Sequence, residues 1–120
     1  CQPLGLVHGD FYTLGSNIRA LPITRDLFAN DSHCMVNLRS RKLGIYEKDT
    51  GRAVVCDISE FPYTLLWSMP GGEPRFVCIE PWHSLPSPED GSVRWEEKPA
   101  AAILDPGESW SCNLSTSFIR

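Results

Sequence analysis

The sequence predicts an all-β protein with antiparallel strands, and three observations lead to this prediction. Ten prolines and nine glycines in 120 residues interrupt the chain too often for long helices. No stretch keeps a 3.6-residue apolar period over three turns. Short runs of apolar, β-branched or aromatic residues instead recur between turn-forming residues, at intervals suited to antiparallel strands. Since a chain of this length buries enough surface for one modest core, we expect a single domain over residues 1–120.

Seven segments have this strand character, in the order 33–38, 42–47, 53–58, 63–68, 76–80, 101–104 and 109–119. The first two are predicted to form a hairpin through residues 39–41, and the turn at 49–52 leads into the third. Pro81 is predicted to stop the fifth strand and to begin a Pro-rich loop. The last strand alternates apolar and polar residues, which predicts one buried face. Residues 1–20 resemble irregular strand and loop, and no partners are assigned to them.

Charge and hydropathy argue against two classes of partner. Eleven Lys plus Arg stand against fifteen Asp plus Glu, so the net charge of -4 offers no general attraction to the phosphates of nucleic acid. No apolar run approaches the roughly 20 residues of a membrane-spanning helix, and the start lacks the layout of a signal peptide. We therefore expect no nucleic acid, no membrane and a cytoplasmic location.

Cysteine and histidine usage indicates neither a metal site nor a disulfide framework. The five cysteines are widely spaced and form no C-x-x-C pair, and Cys34, Cys56 and Cys78 lie in apolar runs. We interpret these three as reduced core thiols, which a reducing compartment would preserve. The three histidines are far apart and belong to no H-x-x-x-H motif, and no glycine-rich phosphate-binding loop occurs. No metal and no cofactor are expected.

One stretch places ionisable groups beside a strand of apolar residues. The strand at 76–79 runs into Glu80, with Trp82 and the titratable His83 close behind it. Partial desolvation of a carboxylate at the end of a buried strand raises its pKa, which suits a general base. The alternative is that Glu80 forms an ion pair with a nearby arginine such as Arg75. The residues alone leave both interpretations open.

Several segments also carry a resemblance to a known family. They are LPITRDLF at 21–28, ND at 30–31, FPYTLLWSMPG at 61–71, FVCIEPWH at 76–83, EK at 97–98 and LDPGE at 104–108. In order and spacing they resemble the carboxy-terminal half of the aldose 1-epimerase family, in particular its LacX-like branch. The resemblance covers residues 20 to 120, and its most specific part is the stretch 77–82 with the Phe-Pro-Tyr and Trp-x-x-Pro-Gly elements before it.

The resemblance implies an antiparallel β-sandwich of the galactose mutarotase type, here a partial one, whose concave face holds a hexose. It also implies interconversion of α and β anomers, in which a carboxylate takes the proton of the anomeric hydroxyl and a histidine protonates the ring oxygen. Glu80 matches the general base of the family. Asp31 matches the acidic residue that accepts hydrogen bonds from sugar hydroxyls, although a turn or cap residue explains it equally well. Acid and base suffice for this reaction, so no cofactor is implied.

Three other residues near this stretch are candidate sugar contacts. Trp67 and Trp82 are expected to stack on a sugar face or to pack in the core, and His83 is expected to contact sugar or to lie in a surface loop. None of the histidines matches the acid of the family, because that residue lies in the amino-terminal half, for which this chain has no counterpart. His8 and His33 match nothing catalytic.

The missing half has consequences for activity and association. We expect the chain alone to be weakly active or inactive, and to associate with itself or with an amino-terminal half, since half of a sandwich exposes strand edges and apolar surface. A non-catalytic carbohydrate-binding module and a purely structural domain are the alternatives.

Overall fold

The computed structural model describes residues 10–88, 94–98 and 100–120. The strands are β1 (His33–Val36), β2 (Lys42–Tyr46), β3 (Ala53–Asp57), β4 (Tyr63–Trp67), β5 (Cys78–Trp82) and β6 (Ser115–Ile119). Short 3₁₀ helices at Arg25–Phe28 and Trp95–Glu97 are the only helical turns in those ranges. A first sheet has the order β1-β4-β5 and a second sheet the order β2-β3-β6, and every pairing is antiparallel. The prediction of an all-β, sandwich-like fold is confirmed.

The first two strands do not form the predicted hairpin. β1 pairs with β4, whereas β2 pairs with β3, so the two strands lie in different sheets. Asn37 directly follows β1 with a left-handed φ of 55°, which turns the chain out of the first sheet. A hydrogen bond from the Ile58 amide to the Arg41 carbonyl, 2.8 Å long, continues the pairing of β2 with β3 instead.

The turn at 49–52 is confirmed as the connection between β2 and β3. Gly51 has a φ of 74°, a conformation that glycine adopts without steric cost. The Glu47 amide donates to the Arg52 carbonyl at 2.8 Å, and the Gly51 amide donates to the Glu47 carbonyl at 2.9 Å. The Arg52 guanidinium also donates to the Glu47 carboxylate at 2.7 Å, which closes the turn with side chains as well as backbone.

The predicted strand at 76–80 is shifted along the chain, because β5 runs from Cys78 to Trp82 and includes Pro81. Pro81 therefore does not stop the strand, and Glu80 lies in its middle rather than at its end. A proline lacks the amide hydrogen of a ladder, but among the described residues β5 pairs only with β4, and an edge strand tolerates this loss.

The carboxy-terminal strands also differ from the prediction. Residues 101–104 form no strand, and 109–119 contributes only the five residues of β6. All five are exposed. The predicted buried face, Trp110, Cys112 and Leu114, is also wrong, because Trp110 and Leu114 are exposed and Cys112 is only half-buried. Alternation of apolar and polar residues indicates which side chains share a face, but it does not supply anything to cover that face.

The core is small. Among the described residues the buried hydrophobic side chains are Phe28, Cys56, Ile58, Leu65 and Leu66. Cys34, Cys56, Cys78 and Cys112 are free thiols, and Cys1 lies outside the described residues. Cys56 is buried as predicted, whereas Cys34 and Cys78 are half-buried. No helix in the described part of the chain has the length and apolar character needed to cross a membrane.

Candidate functional site

The register of the first sheet brings three of the predicted site residues to one face. Alternating side chains of a strand share a face, and directly paired residues of neighbouring strands do so as well. The rows across this face are Val36–Tyr63–Trp82, Cys34–Leu65–Glu80 and Trp67–Cys78. The row of Glu80 therefore lies between the row of Trp82 and the row of Trp67. Trp82 is two positions along the same strand and Trp67 is diagonally across on β4, each about 7 Å from Glu80 by strand geometry. We call this surface the Glu80 face.

The surroundings of Glu80 are apolar and partly shielded from water. Glu80, Trp67 and Trp82 are each half-buried, and Leu65, directly across from Glu80, is buried at 5% exposure. Among the described residues Glu80 makes no ion pair and no hydrogen bond, and the alternative pairing with Arg75 is not observed. The carboxylate is therefore free to bind a ligand that donates a hydrogen bond.

Both tryptophans border this carboxylate, but they have different neighbours. The ring of Trp67 packs against Phe76 with centroids 5.6 Å apart, whereas Trp82 pairs across the strands with Tyr63. An aromatic ring with one side packed on protein still has its other face for an apolar ligand surface. Stacking on a sugar and packing in the core are therefore compatible for Trp67.

His83 belongs to an aromatic cluster just beyond the end of β5. Its ring centroid is 4.9 Å from that of Phe61 and 4.5 Å from that of Trp110, the latter in an edge-to-face arrangement. The Nε2 atom of His83 is buried without a hydrogen-bond partner among the described residues. His83 is thus a half-buried packing residue, not an exposed side chain of a surface loop, and its contact with sugar remains a prediction.

Asp31 lies at the opposite edge of the first sheet from Glu80. It precedes β1 with a left-handed φ of 77°, and its amide donates to the Phe28 carbonyl at 3.1 Å. Because β4 separates β1 from β5, Asp31 and Glu80 are displaced sideways by about 10 Å, two strand spacings. The backbone geometry fits the role of a turn residue, and a contact of Asp31 with sugar hydroxyls remains a prediction.

The other described histidine, His33, is on the wrong face to serve with Glu80. It pairs with Leu66, so it lies on the face opposite Cys34 and Glu80. Its Nε2 contacts the carbonyl of Leu27 and its Nδ1 contacts the hydroxyl of Tyr12. Because a carbonyl only accepts, Nε2 donates to Leu27, and in the neutral imidazole Nδ1 then accepts from the Tyr12 hydroxyl. His8 lies outside the described residues.

A cavity of about 610 Å³ adjoins the first sheet on the β1 side. Its walls are the irregular segment 10–18 and the segment 33–40, together with Tyr63 and Leu85. Cys34, Val36 and Tyr63 line it, and these residues belong to the Glu80 face. Burial raises the pKa of the half-buried Cys34 thiol, so this group stays protonated at neutral pH.

Sequence reasoning missed this cavity, because nothing in residues 10–20 indicates what they pack against. The Tyr12 to His33 contact, across 21 positions of sequence, holds the segment in place. No group of three His, Cys, Asp or Glu side chains suited to a metal occurs among the described residues.

The fold and this face define a class: an all-β, sandwich-like protein with a half-buried carboxylate between two tryptophans on one sheet. The chain is similar to two proteins of Lactococcus lactis subsp. lactis, "Protein LacX, plasmid" and "Protein LacX, chromosomal". Each is 32% identical to it over 91 residues, which are 75% of this chain but 30% of the relative. These matches show a relationship to LacX proteins. No family model and no solved structure matches the chain.

Proposed function

We propose that this chain carries the general base of an aldose 1-epimerase, a protein that interconverts the α and β anomers of a hexose. The observation that carries the proposal is the position of Glu80, unpaired among the described residues and between Trp67 and Trp82 on one face. Further support comes from the resemblance of residues 20–120 to that family and from the relationship to LacX proteins.

The proposed reaction starts with a proton transfer to Glu80. Its carboxylate takes the proton of the anomeric hydroxyl, and an acid protonates the ring oxygen, so that the bond between that oxygen and the anomeric carbon breaks. Rotation of the resulting aldehyde and reclosure on its other face, with both protons returned, gives the other anomer. The apolar C–H faces of the sugar would lie against Trp67 and Trp82, which orient the anomeric hydroxyl toward Glu80.

The acid is the missing group of this mechanism. His33 lies on the opposite face with both ring nitrogens engaged, and His83 is packed between two aromatic rings. We therefore place the acid outside the described residues and expect the chain alone to be a slow catalyst. Each positioned acid or base contributes roughly 10²–10⁴-fold to such a reaction.

The residues of the Glu80 face also favour a second candidate function, a carbohydrate-binding module without catalysis. No described histidine shares the Glu80 face, whereas both tryptophans do. In such a module Glu80 would accept a hydrogen bond from a sugar hydroxyl and no proton would be transferred.

Polarimetry of freshly dissolved α-glucose and α-galactose separates these candidates. Glu80→Gln keeps the size of the side chain and removes the base, and Glu73→Gln is the matched control, because Glu73 makes only an exposed ion pair with Arg25. Binding is followed in parallel by tryptophan fluorescence at millimolar sugar.

For an epimerase, the wild-type chain and Glu73→Gln accelerate mutarotation above the spontaneous rate and Glu80→Gln does not. Sugar binding without acceleration by any variant, also after addition of the part of a LacX protein outside the match, would instead support the binding module. Absence of binding to the folded wild-type chain would contradict both candidates.

We further propose that the protein is cytoplasmic, that its substrate is a hexose and that the reaction uses no metal and no organic cofactor. Four free thiols fit a reducing compartment, and opening of a hemiacetal ring needs only an acid and a base.

A further inference from the structure

Tyr63 carries the only hydroxyl group in the three rows that define the Glu80 face. It is the first residue of β4, it lies directly across from Trp82, and its side chain is half-buried. Leu65, two positions along the same strand, pairs with Glu80. Tyr63 is therefore the diagonal neighbour of Glu80, about 7 Å away by strand geometry. Neither proton transfer of the proposed reaction involves this residue.

The hydroxyl of Tyr63 forms no hydrogen bond within the described part of the chain. The other two tyrosines differ, since Tyr12 contacts a histidine and Tyr46 donates to a backbone carbonyl at 3.5 Å. In the described ranges, the buried side-chain polar atoms without a partner belong to Ser68 and His83, so the Tyr63 hydroxyl is open to solvent. Its apolar ring is packed in the sheet while its hydroxyl is available to a ligand.

Tyr63 also lines the cavity of about 610 Å³ between β1 and the segment 10–18. Glu80 and Trp82 do not line this cavity, so Tyr63 lies where the Glu80 face meets it. Sites for small molecules have volumes of about 300–1,000 Å³, and a few polar groups fix the orientation of the ligand in them. A ligand that begins at Glu80 and extends toward β1 therefore passes the Tyr63 hydroxyl before it reaches the cavity.

The separation of the two groups means that they bind different hydroxyls of one sugar. A hydrogen bond between two oxygens is about 2.7–2.8 Å long, so two bonds to one shared hydroxyl span roughly 5.5 Å. Glu80 and Tyr63 are about 7 Å apart at the sheet, and the longer tyrosine side chain carries its hydroxyl further from the sheet. With the anomeric hydroxyl on Glu80, Tyr63 meets another hydroxyl of the same hexose.

We propose that Tyr63 is a specificity-determining residue of the sugar site, and that its hydroxyl forms a hydrogen bond with a hexose hydroxyl other than the anomeric one. This role rests on the proposed function, because it takes the anomeric hydroxyl to lie on Glu80. A phenol both donates and accepts a hydrogen bond, as a sugar hydroxyl does, whereas an ionised carboxylate only accepts. A site that binds a substrate hydroxyl in this way discriminates against analogues that lack it.

The experiment measures sugar affinity by tryptophan fluorescence, with glucose, with galactose and with analogues of each that lack one hydroxyl other than the anomeric one. The wild-type chain is expected to bind at least one analogue roughly threefold to tenfold more weakly than the parent hexose. Tyr63→Phe keeps the ring beside Trp82 and removes only the hydroxyl. This variant should bind the parent hexose more weakly by the same factor and should no longer distinguish it from that analogue.

Tyr46→Phe is the matched control, because Tyr46 is exposed in the second sheet, and it should leave every affinity unchanged. Circular dichroism checks that both variants fold, and discrimination by the wild-type chain needs no variant. Three results would overturn the role of Tyr63 alone: equal binding of all analogues by the wild-type chain, unchanged affinities in Tyr63→Phe, or a uniform loss in Tyr63→Phe that preserves the discrimination. Absence of sugar binding to the wild-type chain would overturn the proposed function as well.

Discussion

Replacement of Gly44 by alanine tests the close contact between β2 and β3. Gly44 lies opposite Val55 in the register. A Cβ atom at Gly44 would lie 2.6 Å from the Val54 carbonyl oxygen and 2.9 Å from Cγ2 of Val55. The nearest atom belongs to the backbone, so it cannot rotate away, and β2 has to move relative to β3. Only a residue without a Cβ atom allows the observed spacing.

Two opposing contributions decide the size of the effect. Overpacking of this kind costs about 1–3 kcal/mol. Alanine also restricts the unfolded chain, which offsets about 0.4–1 kcal/mol when the native conformation suits it. Because β2 is an edge strand and can shift outward, we expect the lower part of the range. Gly44→Ala should therefore lower the free energy of unfolding by about 1–2 kcal/mol.

Urea denaturation followed by far-ultraviolet circular dichroism measures this change. Gly72→Ala is the matched control, because nothing lies within 4 Å of a Cβ atom at Gly72 and its φ is not positive. It should leave the free energy of unfolding unchanged or raise it by up to about 1 kcal/mol. The reasoning is refuted if Gly44→Ala lies within 0.5 kcal/mol of wild type, roughly the usual scatter for surface substitutions, or if Gly72→Ala is equally destabilised.

Two further predictions concern the contacts of irregular segments. Tyr12→Phe removes the hydroxyl that donates to His33, so the free energy of unfolding should fall by about 1 kcal/mol and amides near residue 12 should exchange faster; unchanged exchange would contradict the contact. Hydrogen bonds from the Asn113 backbone amide and, to a smaller extent, from its side chain hold the pKa of Glu60 below its usual 4.5. This contact therefore stabilises the folded protein fully above pH 4.5, and the stabilisation is lost as the pH falls through the folded pKa. The Asn113 amide resonance should shift below pH 4.5 in wild type but not in Glu60→Gln, and a resonance that stays constant down to pH 2 would contradict it.

Local signals in the sequence predicted the turn at 49–52 correctly, because Gly51 and the side chains of Glu47 and Arg52 close it within a few residues. Local signals could not predict the pairing of β1, because its partner β4 lies about thirty residues away along the chain. The positive φ of Asn37 decides against the hairpin, and asparagine adopts that conformation in only a minority of its positions.

The site could be predicted in part. Glu80 and Trp82 are two positions apart, so a strand over both puts them on one face whatever its partner. The place of Trp67 on that face depends on the register of β4 against β5, which no local signal gives. The packing of His83 depends on Trp110, a residue 27 positions further along the chain and in no strand.

The acid that the proposed mechanism lacks leads to a further test. The proposed base Glu80 has no acid beside it on its face among the described residues. If the part of a LacX protein outside the match supplies that acid, adding it should raise the mutarotation rate. Sugar affinity, which Trp67 and Trp82 are proposed to set, should then change little. A parallel change of rate and sugar affinity would instead mean that the added part shapes the sugar site itself.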